Sequence, residues 1–499
     1  LQAAENGCNV KLVSSFPSER AQSVMAEGGI NAALNTKGEE DSPEQHYTDT
    51  LTAACGLADP NAVWGMTQAA SELVRSLHHL GVQFNVTDDD ELDLRNFGGQ
   101  KKKRTAFAQS DTGKQLMTAL IDAVRREESA GTVERFPHHK FRTLLLSGNI
   151  CGGCTVQDTY TGELLRFVCD AVLIATGGLH GLFGDTTGSL ANTGEVTAEL
   201  FRLGVPMANL EMIQYHPTTV ELGEKRMLLS EAARGGGGRL FALRNGKPWY
   251  FMEEKYPELG NLMPRDITAR EVWTVSRDYE VFLDMTELPK EVMEHKLAGL
   301  VDDCQTYLHK DIRKEPIPIL PRIHYFMGGI QVDERHRTSM RNLYAAGECC
   351  AQYHGANRLG GNSLLGAIYG GQIAAETACR ETVSSPNMPC AEESLLPELS
   401  PDAQMQMNRI LLNALGVVRD AQTLEAGIQE IRKLSGTLPL LGCAMLESAL
   451  ARKESRGAHW RADYPQRNDA VYCKTTVAHW NGQHIAISFE SIPERRNDL

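Results

Sequence analysis

Two segments of the same kind, far apart in the chain, constrain the fold most strongly. Cys169–Gly178 is an apolar run that ends in a turn of small residues, and Arg341–Glu348 repeats this pattern with a glycine and an acid at its end. Short apolar runs bounded by turn residues are typical of buried strands. Because helical periodicity at Asn61–Leu80 and Gly113–Ala130 alternates with strand patterns, the sequence predicts an α/β fold with a nucleotide-binding layer of βαβ type.

The composition fits a large globular chain and argues against several functional classes. Of the 499 residues, 42% are hydrophobic and 23% are charged, so the chain can bury a large core, and its length suggests about three domains. The formal charge of −14 at pH 7 disfavours a general binder of nucleic acids or anionic lipids, which would carry excess basic charge. The short basic run Lys101–Arg104 is predicted to be a solvated loop.

Cysteine spacing and hydrophobicity bear on metals, compartment and membranes. The twelve cysteines are scattered, and only Cys151/Cys154 and Cys349/Cys350 lie close together, without a second pair or a histidine cluster at zinc spacing. We therefore expect reduced thiols in a cytoplasmic protein and no metal site. The longest uncharged stretch, Leu359–Ala375, is rich in glycine, which argues against direct insertion into a membrane.

Three glycine-rich turns are candidates for holding a cofactor: Ala26–Gly29, Ala175–Gly178 and Leu359–Leu364. Glycine turns after strands let backbone amides approach phosphates, and a helix N-terminus adds partial positive charge. A helix beginning near Ser363 would point such amides at the anionic edge of a reduced flavin, and Glu348 at a strand tip suits a ribityl or ribose hydroxyl. Each turn taken alone could equally be structural.

The GxGxxG fingerprint of dinucleotide-binding proteins is absent, and Gly235–Gly238 does not replace it because it follows a helical pattern. The first residues resemble the end of a helix: Leu1–Asn6 is typical of a helix end closed by Gly7, and a strand is predicted at Asn9–Val13. We therefore expect a strand and a tight turn upstream of the first residue.

Histidines and arginines cluster beside turn residues in four segments: Gln214–Thr218, Pro264–Asp266, Arg322–Tyr325 and His354–Arg358. A small dianion needs at least two charge-assisted donors, and arginine supplies bidentate ones. Each histidine alone could be a satisfied core or loop residue. Their position in turns rather than on helix faces favours binding, because loops carry binding residues.

These segments resemble the flavoprotein subunit of succinate dehydrogenase and fumarate reductase, a superfamily that includes soluble fumarate reductases and L-aspartate oxidase. The similarity extends from about Val10 to Ile487. Besides the histidine and arginine segments it rests on Glu315–Pro318, His324–Gly329, His354–Leu365, Glu454–His459 and Asp463–Pro465.

The resemblance implies a Rossmann-like FAD-binding domain with an inserted α+β capping domain, followed by a helical domain and a small C-terminal segment. The implied boundaries are 1–215 and 325–385 for the FAD-binding domain, 216–324 for the capping domain, 386–460 for the helical domain and 461–499 for the C-terminal segment.

The resemblance also implies roles for individual residues. Arg265 would donate the proton to the substrate double bond, and Glu231 and Arg234 would relay protons to it. The substrate would be held by His216, Ser230, His324, Arg358 and Phe97, where the family usually has threonine in place of Ser230. The flavin would be contacted by Arg20, Gln22, Ser23, Ala26, Glu27, Gly28, Gly29, Ala175, Thr176, Gly177, Glu195, Glu348, Ser363 and Leu364.

Three departures from the family pattern modify the expectation. Gln22 stands where membrane-bound relatives carry the histidine that bonds to FAD, so we expect non-covalent FAD and a bias towards fumarate reduction. Glu195 stands in place of a family aspartate in the flavin-contacting loop 184–195. Without the glycine fingerprint, FAD affinity should be poor unless further residues precede the chain.

The resemblance thus implies an electron-transport oxidoreductase that interconverts fumarate and succinate. The alternatives are an L-aspartate oxidase, in which a glutamate occupies the position of Phe97, a reductase of another unsaturated acid, and a truncated non-catalytic subunit that only binds partners. An iron–sulfur subunit is the expected partner, because the chain has no ferredoxin-type cysteine run, and membrane association would come through partner subunits.

Overall fold

A computed structural model of the chain describes residues 1–223, 225–382 and 398–496. Both predicted long helices form, and each ends at a glycine in the left-handed region, Gly81 and Gly131. Within the described residues no helix is both long enough and apolar enough to cross a bilayer. The α-helices are Gln2–Glu5, Pro43–Ala53, Pro60–Leu80, Thr112–Ala130, Glu195–Arg202, Glu231–Gly235, Phe251–Lys255, Arg265–Ser276, Ala298–Asp303, Asn362–Glu381, Pro401–Ala414, Ala421–Ile431, Thr437–Ala451 and Asp469–Tyr472.

The strands confirm the α/β class predicted from the sequence. They are Val10–Ser14, Ile30–Asn31, Leu94–Arg95, Thr105–Ala106, Val133–Pro137, His139–Ser147, Ile150–Asp158, Leu164–Val168, Val172–Ile174, Met207–Ala208, Ile213–Leu222, Lys225–Leu228, Arg239–Arg244, Lys247–Trp249, Val281–Asp284, Ile317–Pro318, Leu320–Phe326, Gly329–Gln331, Leu343–Ala345, Cys350–Ala351, Lys474–Trp480 and Ile485–Ser491.

The two segments that constrain the fold meet in space. Val172–Ile174 and Leu343–Ala345 pair in parallel, so their carboxyl ends lie at the same edge. The strand at Val172–Ile174 is shorter and less buried than predicted: Leu173 is 38% exposed, because these two strands form a sheet of their own with one open face. The pairing brings the turns that follow Ile174 and Ala345 side by side, and these turns begin the candidate site.

The predicted capping segment has its own apolar core. A cluster of buried side chains, from Val220 to Ile319, lies within the predicted 216–324 range. Two sheets surround it, one built on Ile213–Leu222 and the other on Arg239–Arg244. The boundaries themselves stay a prediction.

The helices after residue 400 pack into the largest core rather than forming a separate one. Met407, Leu424 and Leu446 belong to the same buried cluster as Ile174 and Leu343. The last two strands, Lys474–Trp480 and Ile485–Ser491, complete a five-stranded sheet with strands of the earlier chain. The predicted boundary between residues 385 and 386 lies outside the described residues.

The prediction that the basic run Lys101–Arg104 is a solvated loop is wrong at its last residue. The Arg104 side chain is completely buried and lies 2.8 Å from Asp41 and 2.7 Å from Asp49. A buried cation persists only with paired anions, and here both anions come from a region about sixty residues earlier in the chain. The pair therefore fastens the loop to the Pro43–Ala53 helix.

We expect Arg104→Met to destabilise the protein by about 3–5 kcal/mol, because it leaves two buried carboxylates without a counter-charge. The free energy of unfolding from urea titration measures this loss. Lys101→Met, on an exposed position of the same run, is the matched control and should change stability by less than about 0.5 kcal/mol. Equal stabilities for the two variants would contradict the buried pairing.

Candidate functional site

One large cavity, of about 1060 Å³, lies at the carboxyl ends of the two parallel strands, against the N-terminus of the Asn362–Glu381 helix and against the capping segment. This volume exceeds the need of a four-carbon acid and suits a cofactor together with a substrate. The predicted site residues that line it are Gln22, Ser23, Ala26, Glu27, Gly28, Gly29, Phe97, Ala175, Gly177, His216, Ser230, Glu231, Arg265, His324, Glu348, Arg358, Ser363 and Leu364.

Four predicted site residues lie outside the cavity lining. Arg234 lies directly behind Glu231. Arg20 and Thr176 are exposed, and Glu195 begins a helix and forms an ion pair with Lys140 at 2.8 Å. The structure therefore gathers most of the predicted residues around one space. The contact of each of them with a cofactor or substrate stays a prediction.

The centre of the cavity wall is a buried carboxylate between two arginines. Arg265 Nε donates to Glu231 Oε2 at 2.9 Å, and Arg234 Nη2 donates to Glu231 Oε1 at 2.9 Å. Burial opposes ionisation of Glu231, but Arg265 and Arg234 outweigh burial and hold its pKa below the ordinary value. Of the three side chains, Arg265 and Glu231 reach the cavity, so the set forms a continuous chain of hydrogen bonds from the interior to the cavity.

A second arginine, Arg358, reaches the cavity beside Arg265. Its guanidinium carbon lies 4.3 Å from the centre of the Tyr325 ring, and burial, reinforced by the charge of Arg265, lowers its pKa to about 9. Gln214 connects the two, because its amide oxygen accepts from Arg265 at 3.1 Å and its amide nitrogen donates to the Arg358 carbonyl at 3.0 Å. Two neighbouring cations that face one cavity create a site for a dianion.

Two histidines of the cavity wall, His216 and His324, are uncharged donors or acceptors rather than cations. The rings of His216 and His324 lie edge to face with centroids 5.1 Å apart. Burial, with the nearby arginine charges, holds both pKa values well below the ordinary value for histidine. The charge that attracts an anion therefore comes from Arg265 and Arg358. Ser230 adds a hydroxyl whose oxygen caps the Glu231–Gly235 helix.

The first predicted glycine turn has a different setting from the one expected. Ala26–Gly29 does not follow a strand: it follows the 3₁₀ turn Gln22–Met25 and leads into the strand Ile30–Asn31. Arg95 shapes this turn, because its guanidinium donates to the Glu27 carbonyl at 2.9 Å. Sequence reasoning missed Arg95, which lies in no glycine or histidine motif.

Glu27 is a second carboxylic acid of the cavity wall whose pKa is shifted. Burial, reinforced by the negative charge of Asp303, raises its pKa to about 8, although Arg95 opposes the shift. Its Oε2 is buried and has no hydrogen-bond partner among the described residues. At neutral pH Glu27 is therefore largely a neutral acid that can donate a hydrogen bond to a ligand.

The backbone around the cavity suits the expected flavin. The Asn362–Glu381 helix is preceded by Gly361, which has no side chain to cap the first turn. The Asn362 N–H bonds to the Leu359 carbonyl at 3.3 Å, whereas Ser363 and Leu364 line the cavity, so the positive end of the helix dipole faces it. Gly361 has φ of +83°, and a Cβ there would lie 2.1 Å from Asn31 Oδ1. Asn31 also donates to Asn362 Oδ1 at 2.7 Å, which fixes the helix start. The residues present therefore fit FAD.

Comparison with known proteins agrees with this geometry. Residues 1–364 match the FAD binding domain family, and residues 435–496 match the fumarate reductase flavoprotein C-terminal family. The chain is 38% identical to a succinate dehydrogenase flavoprotein subunit of Bacillus subtilis, over 98% of this chain and 93% of that protein. It is 30% identical to an L-aspartate oxidase of Streptomyces coelicolor, over 99% and 91%. The quinol fumarate reductase of E. coli has a TM-score of 0.88 and 25% identity, over 98% and 94%.

We expect Gly361→Ala to lower stability by at least about 1–3 kcal/mol, because alanine is strained at this backbone conformation and its Cβ collides with Asn31. It should also reduce the flavin content, because the helix start moves. Gly416→Ala is the control: Gly416 does not line the cavity, its φ is not in the left-handed region, and a Cβ there would come no closer than 3.6 Å to another atom, so the change should be near neutral for folding. Thermal unfolding and the flavin absorbance of purified protein measure both effects, and equal behaviour of the two variants would contradict the assigned geometry.

Proposed function

Because the chain belongs to the family of succinate dehydrogenase and fumarate reductase flavoproteins, we propose that it uses FAD to interconvert fumarate and succinate, mainly as a fumarate reductase. The observation that carries this proposal is the buried Arg265–Glu231–Arg234 set, which opens into a cavity that also presents Arg358. Such a set can bind a dicarboxylate and protonate it.

Substrate binding follows from the charges on the wall. Arg265 and Arg358 balance the two carboxylates of the dianion, while His216 and His324 offer neutral ring nitrogens that orient them. Withdrawal of charge towards one carboxylate polarises the double bond, and the effect is large because water is largely excluded from this wall. Phe97 is 3% exposed and gives the cavity an apolar surface beside these groups.

The protein's chemical task is to deliver a proton. FAD, when bound, supplies the hydride, and Arg265 donates a proton to the other alkene carbon. Free arginine is a very weak acid, so the donor needs immediate reprotonation. Glu231 contacts Arg265 and Arg234, and burial lowers the pKa of Arg234 although Glu231 opposes the shift. Protons therefore move along this buried set to Arg265, an action worth about 10²–10⁴-fold in rate.

L-aspartate oxidation is the second candidate, since a relative of that name covers nearly the whole chain. The ammonium group of aspartate calls for an acid near the substrate, whereas Phe97 offers an apolar ring. Anaerobic assays with reduced viologen and fumarate, beside aerobic assays with aspartate, separate the two functions. An absence of flavin absorbance would instead support a non-catalytic subunit.

The electrons are proposed to come from an iron–sulfur subunit, through which the chain would also associate with a membrane. The solved relatives include a quinol–fumarate reductase with menaquinol molecules, which covers 99% of this chain with a TM-score of 0.89. Co-purification of the tagged chain from its own cells, followed by iron and labile sulfide determination, tests this partner.

Arg265→Ala should lower fumarate-dependent oxidation of reduced viologen by about 10²–10⁴-fold, because the general acid is lost. Flavin absorbance should persist, since Arg234 still balances the Glu231 carboxylate. Arg270→Ala is the matched control: Arg270 lies on the same helix but stacks on Trp460 at 4.0 Å, and its loss should leave turnover within about twofold. Undiminished turnover in Arg265→Ala would remove Arg265 from the proton-donor role.

We expect the FAD to be released by acid. Gln22 lines the cavity where covalent attachment would need an imidazole, and an amide cannot form that bond. Trichloroacetic acid precipitation should leave a colourless pellet and a yellow supernatant, and denaturing gels should show no flavin fluorescence in the protein band. A yellow pellet would contradict non-covalent binding.

A further inference from the structure

His180 lies in the cavity wall although no sequence motif includes it. It is 1% exposed, and it lies just beyond the Ala175–Gly178 turn, within a short 3₁₀ turn that faces the cavity. Its ring contacts Phe326 edge to face at 5.1 Å. Gly188 packs directly on the ring, because a Cβ there would lie 2.2 Å from it. The ring therefore occupies a fitted space.

The hydrogen bonds of Thr186 favour Nδ1 as the ring nitrogen of His180 that carries the proton. The Thr186 hydroxyl donates its hydrogen to the Ile323 carbonyl at 2.9 Å, and it lies 2.7 Å from His180 Nδ1. With its hydrogen used in this bond, the Thr186 hydroxyl accepts from Nδ1–H. In the neutral ring, Nε2 is then an acceptor.

The acceptor Nε2 faces a second acceptor and has no donor. It lies 3.4 Å from Glu348 Oε1, and it is buried without a hydrogen bond among the described residues. Glu348 Oε1 itself accepts from the Phe326 backbone N–H at 3.0 Å. Two adjacent acceptors on a cavity wall need a donor from a ligand, because a buried acceptor without a partner is costly.

We propose that His180 is a further cofactor-contact residue. Its Nε2 and the Glu348 carboxylate together bind one hydroxyl group of FAD through hydrogen bonds. Both residues line the cavity at the strand ends, and a hydroxyl of the ribityl chain or the ribose supplies the missing donor. The inference rests on the FAD binding of the proposed function. It adds the Nε2 atom of an imidazole ring to the carboxylate expected there.

The experiment strips flavin from the purified protein and measures the dissociation constants of FAD and of analogues that each lack one hydroxyl of the ribityl chain or the ribose. In the wild type, one analogue should bind about tenfold more weakly than FAD, the effect of one buried hydrogen bond. Which analogue weakens identifies the ribityl chain or the ribose as the source of the hydroxyl.

His180→Phe keeps the ring shape and removes Nε2, and it leaves no donor unpaired, because the Gly188 N–H still bonds to Thr186 at 3.1 Å. This variant should bind FAD about tenfold more weakly and lose most of its discrimination against the deoxy analogue. His484→Gln, at an exposed hairpin turn, is the matched control and should bind all ligands as the wild type does.

Circular dichroism of the flavin-free variants reports folding independently of binding. If His180→Phe does not fold, His180→Gln takes its place, and it should show the same weakened discrimination among the analogues. A wild-type protein that discriminates among no analogues, or a folded His180 variant that retains the full discrimination, overturns this inference alone. A wild type that binds no FAD overturns the proposed function as well.

Discussion

The Glu231 carboxylate is the interaction on which the site depends. It allows Arg234 and Arg265 to lie side by side in the interior, where two unbalanced guanidinium groups would repel each other and lack solvation. Because its two oxygens are divided between the two arginines, Arg265 keeps one face towards the cavity. In the proposed function the same arrangement binds an anion and conducts a proton, so binding and chemistry would share one set of groups.

The sequence predicted the fold class, the two long helices and the gathering of most site residues. Strand and helix periodicity depends on neighbours in the chain, and the runs around His216, Arg265 and His354 match a known family. Periodicity is a local signal and a family motif is an evolutionary one, and both can be recognised without coordinates. The lining of one cavity by Phe97, Glu231 and Arg358 was accessible only through the resemblance, because these residues are far apart in sequence.

Features decided by tertiary burial could not be predicted in this way. Arg104 looked like the end of a charged loop because its partners, Asp41 and Asp49, are distant in the chain. The uncharged state of His216 and His324 has no signal in the sequence, because their desolvation appears only after packing. The proposed role of His180 could not be predicted from the sequence, since it depends on contacts with Thr186 and Glu348. Burial changes what a charged or titratable residue does.

The helix Arg265–Ser276 is held on both sides. Ala269 belongs to the large core, whereas Val272 and Val275 belong to the core of the capping segment. The helix therefore packs against both hydrophobic cores, and this packing orients the Arg265 guanidinium at its N-terminus. In an enzyme of the proposed kind, a proton donor with one fixed orientation protonates a single face of the alkene. Since succinate has no stereocentre, methyl-sized changes in the two hydrophobic cores would then be visible only in the configuration of a deuterium-labelled product.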